Sequence, residues 1–328
     1  MERMKSIIKL QRRILPAFIL LVVIFSGCEK EEYKNYEMTY RGGPNLKGLA
    51  NSPVGTPRAV QIRDEADMPV AGVEVVFTVV SGGGSIDNST VTTDSEGIDY
   101  VNCTLGASGE QTLKAEVVTS EGNLIEGAPV MFESGIVTQG TFTDPRDGEV
   151  YKTISIGGQT WFAQNLRYNA IGSFKSGFNT EYNADYGRYY NWHVAQNACP
   201  SGWHLPSNDE WTTLEVNLGI RADDGDMDII SHYPKHMKSV SLWQSSTEPN
   251  SAGTNALGFN AFPAGYVSTT FGDAVDYGFS AGFWSSDIDL SDTTEAWQRR
   301  YFYDTYGIAD GPYYNKLGYS SSVRCIKN

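Results

Sequence analysis

The 328-residue sequence predicts a multidomain chain: an all-β sandwich followed by an α+β unit. Three observations predict it. Residues 51–136 hold short alternating apolar runs parted by turn signals, with no helical period. All seven tryptophans lie beyond that stretch, from Trp161 to Trp297, so the second half has a different kind of core. Within that half, Ser207 stands three residues before Glu210 and heads the apolar series Trp211, Leu214, Leu218, which has a helical period.

The first element is a leader, residues 1–27. Lys5, Lys9, Arg12 and Arg13 form a basic segment, and Ile14 to Phe25 an apolar run of twelve residues interrupted only by Pro16 and Ala17. A membrane-spanning helix needs about 20 apolar residues, so the run fits a signal-peptide core instead. Phe25-Ser26-Gly27-Cys28 resembles a lipobox, with Phe25 where Leu is usual. The resemblance implies cleavage before Cys28 and a lipid on its sulfur, in an outer-membrane protein. An ordinary signal peptide with an incidental cysteine is the open alternative. Glu29-Lys30-Glu31-Glu32 resembles the surface-export signal of Bacteroidota lipoproteins; a solvated tether facing the periplasm is the other reading. Residues 28–50, with charges, Gly42-Gly43-Pro44 and few apolar groups, read as a flexible tether.

The sandwich follows over residues 51–136. Val73, Val75 and Phe77 alternate with Glu74, Val76 and Thr78; Leu113, Ala115 and Val117 alternate again, and Val130 and Phe132 close the series. Ser81-Gly82-Gly83-Gly84 and Thr93-Asp94-Ser95-Glu96-Gly97 are turns. Around Cys103, Val101, Cys103 and Leu105 share one face, so Cys103 reads as a free, buried, small hydrophobe. The run from Pro69 to Phe77, with the Thr93–Gly97 turn and Leu105-Gly106, resembles invasin-type bacterial Ig-like domains. Those modules usually serve as stalks.

The α+β unit covers residues 140–328. The i, i+3 pair Trp192 and Ala195 predicts a short helix ending before Cys199-Pro200, and the Ser207/Glu210 capping box starts a second helix. Large aromatics supply burial in a Gly-rich, loop-rich unit. Trp161, Trp192, Trp203, Trp211 and Trp284 are therefore expected mainly in the core, whereas Trp243 and Trp297, among polar residues, are candidates for a binding face.

Several blocks carry a resemblance over this whole unit. They are Thr143-Asp144-Pro145-Arg146-Asp147-Gly148-Glu149-Val150-Tyr151, Gln159-Thr160-Trp161-Phe162-Ala163-Gln164-Asn165-Leu166, Tyr186-Gly187-Arg188-Tyr189-Tyr190-Asn191-Trp192, and Cys199-Pro200-Ser201-Gly202-Trp203-His204-Leu205-Pro206-Ser207. Gly258 to Tyr266, Phe283-Trp284-Ser285-Ser286 and Ser322-Val323-Arg324-Cys325-Ile326-Lys327 follow in order. Together they resemble the Fibrobacter succinogenes major paralogous (FISUMP) domain, and the stretch from Trp192 to Glu210 resembles the first half of a C-type lectin-like domain. The resemblance implies a C-type lectin-like fold, a Cys199–Cys325 disulfide, and a ligand of unspecified kind.

Charge limits the partners. The net charge is −14; without the leader, 20 Lys+Arg face 38 Asp+Glu, or −18. Such a surface repels phosphate backbones, so no nucleic-acid partner is expected, and the only membrane contact expected is the lipid.

No motif for phosphate binding, zinc hydrolysis or a serine nucleophile occurs, and the chain is expected not to be an enzyme. His232 and His236 are four apart, but Pro234 between them argues against a helical metal pair. Two acidic stretches are calcium candidates. Asp223-Asp224-Gly225-Asp226-Met227-Asp228 lacks the closing Glu of an EF-hand and reads as a solvated loop. Glu248-Pro249-Asn250 resembles the sugar-binding signature of calcium-dependent lectins, which implies Glu248 and Asn250 as calcium ligands. No other cofactor is expected. The expected binding residues are Trp243, Glu248, Asn250, Asp287 and Trp297. The expected function is surface recognition or adhesion, a stalk presenting a lectin-like, carbohydrate- or protein-binding head. A glycan-active hydrolase and a fibre subunit are the alternatives.

Overall fold

The computed structural model describes residues 35–41, 45–55, 57–117, 123–175, 180–218, 234–245, 253–268, 270, 272, 274–303 and 308–328. The described chain is mostly β-strand.

The predicted sandwich is present. An antiparallel sheet of Tyr36–Arg41, Arg58–Asp64 and Ile98–Val101 faces a second sheet that contains Glu74–Ser81, Gln111–Glu116 and Val130–Thr143. The alternation works as the sequence requires: Val73, Val75, Phe77, Leu113, Ala115, Val117, Val130 and Phe132 are all buried in one core with Met38, Val60, Ile62 and Val101. Polar neighbours on the same strands face outward. Arg58 is buried between the layers, donates to Ser134, and lies 5.6 Å from the Phe132 ring centroid.

Two boundaries differ from expectation. The stretch expected as a flexible tether carries strands Tyr36–Arg41 and Asn45–Leu49, which join the sandwich. Tyr36–Arg41 pairs antiparallel with Arg58–Asp64 and buries Met38; Asn45–Leu49 pairs in parallel with Val130–Thr143. Backbone ladder bonds hold these strands, and one inward methionine suffices for the first, so the low apolar content misleads. Cys28 and the leader lie outside the described residues.

The expected break between residues 136 and 140 is bridged by a single strand. Residues 130–134 of Val130–Thr143 pair with Gln111–Glu116, and residues 138–143 pair with Val150–Ile156. One core then joins the two halves: Val54, Cys103, Leu105 and Val137 pack in the same cluster as Trp161, Trp211, Phe259 and Phe283.

In the second half, Val150–Ile156 continues to Gln159–Phe162, Ile326–Lys327 and Trp203–His204. The last strand of the chain is therefore central to the first sheet of this half. Ser280–Ile288, Glu295–Phe302 and Ile308–Asn315 form another antiparallel sheet, and Tyr190–Asn191, Tyr319–Ser321, Tyr266–Ser268 and Ala274–Val275 a third. Helix Trp192–Ala195 lies where predicted.

Helix Asn208–Asn217 begins with the predicted box. Ser207 Oγ accepts from the Glu210 N–H at 3.2 Å, and the Glu210 carboxylate accepts from the Ser207 N–H at 2.8 Å. Trp211, Leu214 and Leu218 are fully buried. On the same helix, buried Glu215 pairs with buried Arg299 at 3.2 Å, and Arg299 also donates to Asn208 O and Thr212 Oγ1. A paired, hydrogen-bonded guanidinium is the form in which such a charge is tolerated inside a protein.

Cys199 and Cys325 form a disulfide across 126 residues, and Cys103 is free and buried. Burial raises the Cys103 thiol pKa.

Candidate functional site

Trp161, Trp203, Trp211 and Trp284 are buried, as expected. Trp192 packs at the edge of the core cluster that holds Tyr190, Trp203 and Trp284. It is half-buried, its Nε1 donates to Ser285 O at 2.9 Å, and the Lys316 ammonium lies 4.5 Å from its ring centroid. Its four-residue helix buries only Ala195, so the ring packs against the core with a cation beside it.

Of the five expected binding residues, Glu248 and Asn250 lie outside the described residues, as does the Asp223–Asp228 stretch. Asp287 braces the scaffold. Its Oδ2 accepts from the Asn208 N–H at 2.6 Å, at the N-terminus of helix Asn208–Asn217, and from Ser285 Oγ. Negative charge at a helix N-terminus is stabilising. Trp297 is half-buried beside a register shift between Ala296 and Gln298. Trp243 is half-buried too, with Nε1 donating to Ser239 Oγ and the Lys238 ammonium 4.8 Å from its ring centroid. Among the described contacts, none joins Trp243 to Asp287.

Trp243 instead lines a cleft of about 500 Å³ with residues that sequence reasoning did not single out. Tyr182 closes a 3₁₀ turn, Thr180–Tyr182, and Tyr186 ends the helix Asn183–Tyr186 that follows. Four-residue spacing brings both rings to one face, 5.7 Å apart. Tyr186 is buried against Tyr189, Phe262 and Ala264, and burial pushes its hydroxyl pKa up to about 12.

The opposite wall is the turn Asp276–Phe279, which enters strand Ser280–Ile288. Asp276 and Gly278 hold positive φ, 58° and 82°. The Asp276 carbonyl accepts from the N–H groups of Phe279 and Ser280, both at 3.0 Å. A Cβ on Gly265 would overlap Val275 O, so the hairpin feeding the turn requires glycine there. The Gln244 N–H donates to Gly278 O, and the Gly278 N–H to Pro263 O, each at 2.8 Å. These bonds pin the Trp243 segment beside the turn. Tyr277 and Phe279 remain 43% exposed each. The only sequence signal for this wall is the pair of aromatics flanking glycine in Asp276-Tyr277-Gly278-Phe279, a turn pattern with unusually large side chains.

Asp276 is exposed and lies 3.3 Å from the Arg300 guanidinium. Among the described residues, no group of three or more His, Cys, Asp or Glu is placed to hold a metal ion. His193 is exposed, His204 bonds Glu210 and Asn328, and His236 bonds Thr254. His232 lies outside the described residues.

The model of the Fibrobacter succinogenes major domain matches residues 154–327, more than half of the chain. The chain belongs to that family. The match spans every element of the cleft and the Cys199–Cys325 bridge. The Fibrobacter succinogenes major domain begins inside strand Val150–Ile156, just beyond the strand that links it to the sandwich.

No curated protein matches the chain. Among solved structures, the Yersinia pseudotuberculosis adhesin InvE is 16% identical, with 89% of this chain and 70% of that chain covered and a TM-score of 0.26. A C-terminal fragment of intimin, solved with the intimin-binding domain of the translocated intimin receptor, is 15% identical, with 89% and 99% covered and a TM-score of 0.28. The D00-D0 domain of intimin is 15% identical, covering 32% of this chain and 50% of that chain, with a TM-score of 0.23. Superpositions this loose carry no argument about fold or ligand.

Proposed function

We propose that this is a lipid-anchored surface recognition protein, whose Ig-like sandwich carries a C-type lectin-like head that binds a glycan or a surface protein. It acts by binding rather than by catalysis. The observation that carries the reading is the cleft at Trp243: large aromatic rings left open to solvent on a turn braced by backbone bonds at Asp276, Gly278 and Phe279. Rigid loops presenting aromatic side chains are typical of recognition surfaces.

Three further observations support it. The disulfide suits an oxidising compartment outside the cytoplasm. The strand Val130–Thr143 passes unbroken from sandwich to head, which suits a stalk that must hold its tip at a set angle. Phe25-Ser26-Gly27-Cys28 supplies the anchor.

The test has two parts. Protease added to intact cells should remove the head, and full-length protein should bind defined spots on an array of glycans and surface proteins. A head that resists protease until cells are lysed, or an array without signal, overturns the reading. Chelation and Glu248→Gln address calcium: loss of binding in both places the ion at Glu248 and Asn250, and unchanged binding removes it.

A further inference from the structure

We infer that the cleft lined by Tyr182, Trp243, Gln244, Asp276, Tyr277 and Phe279 is a binding site for a neutral sugar, a hexose or N-acetylated hexosamine unit of a glycan. The assignment rests on the recognition function proposed above and adds the site and the ligand class.

The rings come first. Tyr277 and Phe279 each leave 43% of their surface in water, on either side of Gly278. Apolar area left in water is unfavourable relative to burial, so two such rings in one short turn are a standing cost to the fold. Packing does not account for them. Phe279 meets Tyr303 edge-on at 5.0 Å, which fixes the ring without covering it. A pyranose presents one or both faces as a patch of C–H groups. The negative face of an aromatic ring attracts such polarised hydrogens, and the contact hides apolar area on both partners.

The polar groups come second. A sugar carries hydroxyls around its edge, each a donor and an acceptor. Gln244 is exposed in the cleft and offers both functions through its amide. Asp276 offers a carboxylate acceptor, oriented by Arg300 at 3.3 Å. A wholly apolar ligand would cover both groups without replacing the water they bond, at a cost. A few placed polar groups among aromatic walls is the usual make-up of a small-ligand site, and a cleft of about 500 Å³ is of the usual size.

Charge sets the class. The chain carries −14 overall, so a uronate or other acidic sugar would meet long-range repulsion, while close by the Arg300 guanidinium at 3.3 Å offsets the Asp276 charge. A neutral unit meets no such repulsion. The pinning bonds from Gln244 N–H to Gly278 O and from Gly278 N–H to Pro263 O mean that little ordering is left to do on binding.

Affinity gel electrophoresis of the full-length protein against soluble β-glucan, xylan, galactomannan, glycol chitin and polygalacturonate tests the assignment. Wild type should be retarded by at least one neutral polymer and not by polygalacturonate. Tyr277→Ala and Phe279→Ala, both at exposed positions, should each weaken that retardation about tenfold. Met68→Ala, exposed on the sandwich, should leave it unchanged. Retardation by a neutral polymer that survives in both ring variants overturns the cleft as the site and leaves the recognition function standing. Retardation by polygalacturonate alone overturns the sugar class. No retardation by any polymer overturns the assignment outright, and the recognition function is then decided separately by the array and protease experiments.

Discussion

Arg324 donates from Nε to Asn165 Oδ1 at 2.8 Å, across 159 residues of chain and in full burial. The same guanidinium donates to the carbonyls of Phe162, Phe259 and Asn260, and lies 4.6 Å from the Phe259 ring centroid. Asn165 turns its amide to Tyr186 O and Ser322 Oγ. Desolvation pulls the Arg324 pKa down to about 9, so the side chain stays charged at neutral pH. The blocks around Asn165, Gly258 and Ser322, separate in sequence, are thus one knot behind the cleft.

Arg324→Leu should therefore destabilise the fold by about 3–5 kcal/mol, because it strands several buried acceptors at once. Asn165→Leu should cost less, and the double variant should cost less than the two added. Urea unfolding checks this; additive losses would dissolve the knot.

Mass spectrometry of a non-reduced digest should show the Cys199–Cys325 cross-link and an alkylatable Cys103 only after unfolding. Replacing both bridged cysteines by Ala should cost on the order of 4–5 kcal/mol by the chain-entropy argument for so long a loop. Cross-linked peptides that contain Cys103 would contradict both halves.

Ser207→Ala should lower stability by about 1 kcal/mol, through loss of the cap on helix Asn208–Asn217. The change should show as a shift of denaturation midpoint without a change of slope. Ligand binding at the cleft should be unaffected.

Asp99 gives the sandwich a pH dependence. Burial pushes its carboxyl pKa up to about 6 from 3.8, against a hydrogen bond from the Tyr100 N–H. The folded state therefore holds a proton that the unfolded state releases earlier. Its contribution to stability is complete below about pH 4 and is lost as pH rises through about 6. Asp99→Asn should raise stability at pH 7.5 by about 1–2 kcal/mol after solvent screening, and by nothing near pH 4. Thermal melts across that range decide it; an equal gain at both pH values would assign the effect to packing.

Cys28→Ser should release the protein from membrane fractions. If variant and wild type both remain membrane-bound with an uncleaved leader, residues 14–25 are a plain anchor.

Local patterns in the sequence determined much of this protein. The period-two run Val73, Val75, Phe77 gave its face of the sandwich, and Ser207 with Glu210 gave the start of a helix, because strand and cap signals are complete within a few residues. The family blocks located the head and the disulfide partners. What the tertiary structure alone decided is whatever depends on distant neighbours. Strands Tyr36–Arg41 and Asn45–Leu49 are held by ladder bonds to partners whose positions no local pattern contains. Asp287 caps a helix that begins 79 residues earlier. The cleft joins Tyr182, Trp243 and Tyr277 from three separate segments; polar neighbours mark Trp243 in the sequence, but Tyr182 and Tyr277 by themselves carry the same composition signal as core aromatics. Only the fold's placement of solvent distinguishes them.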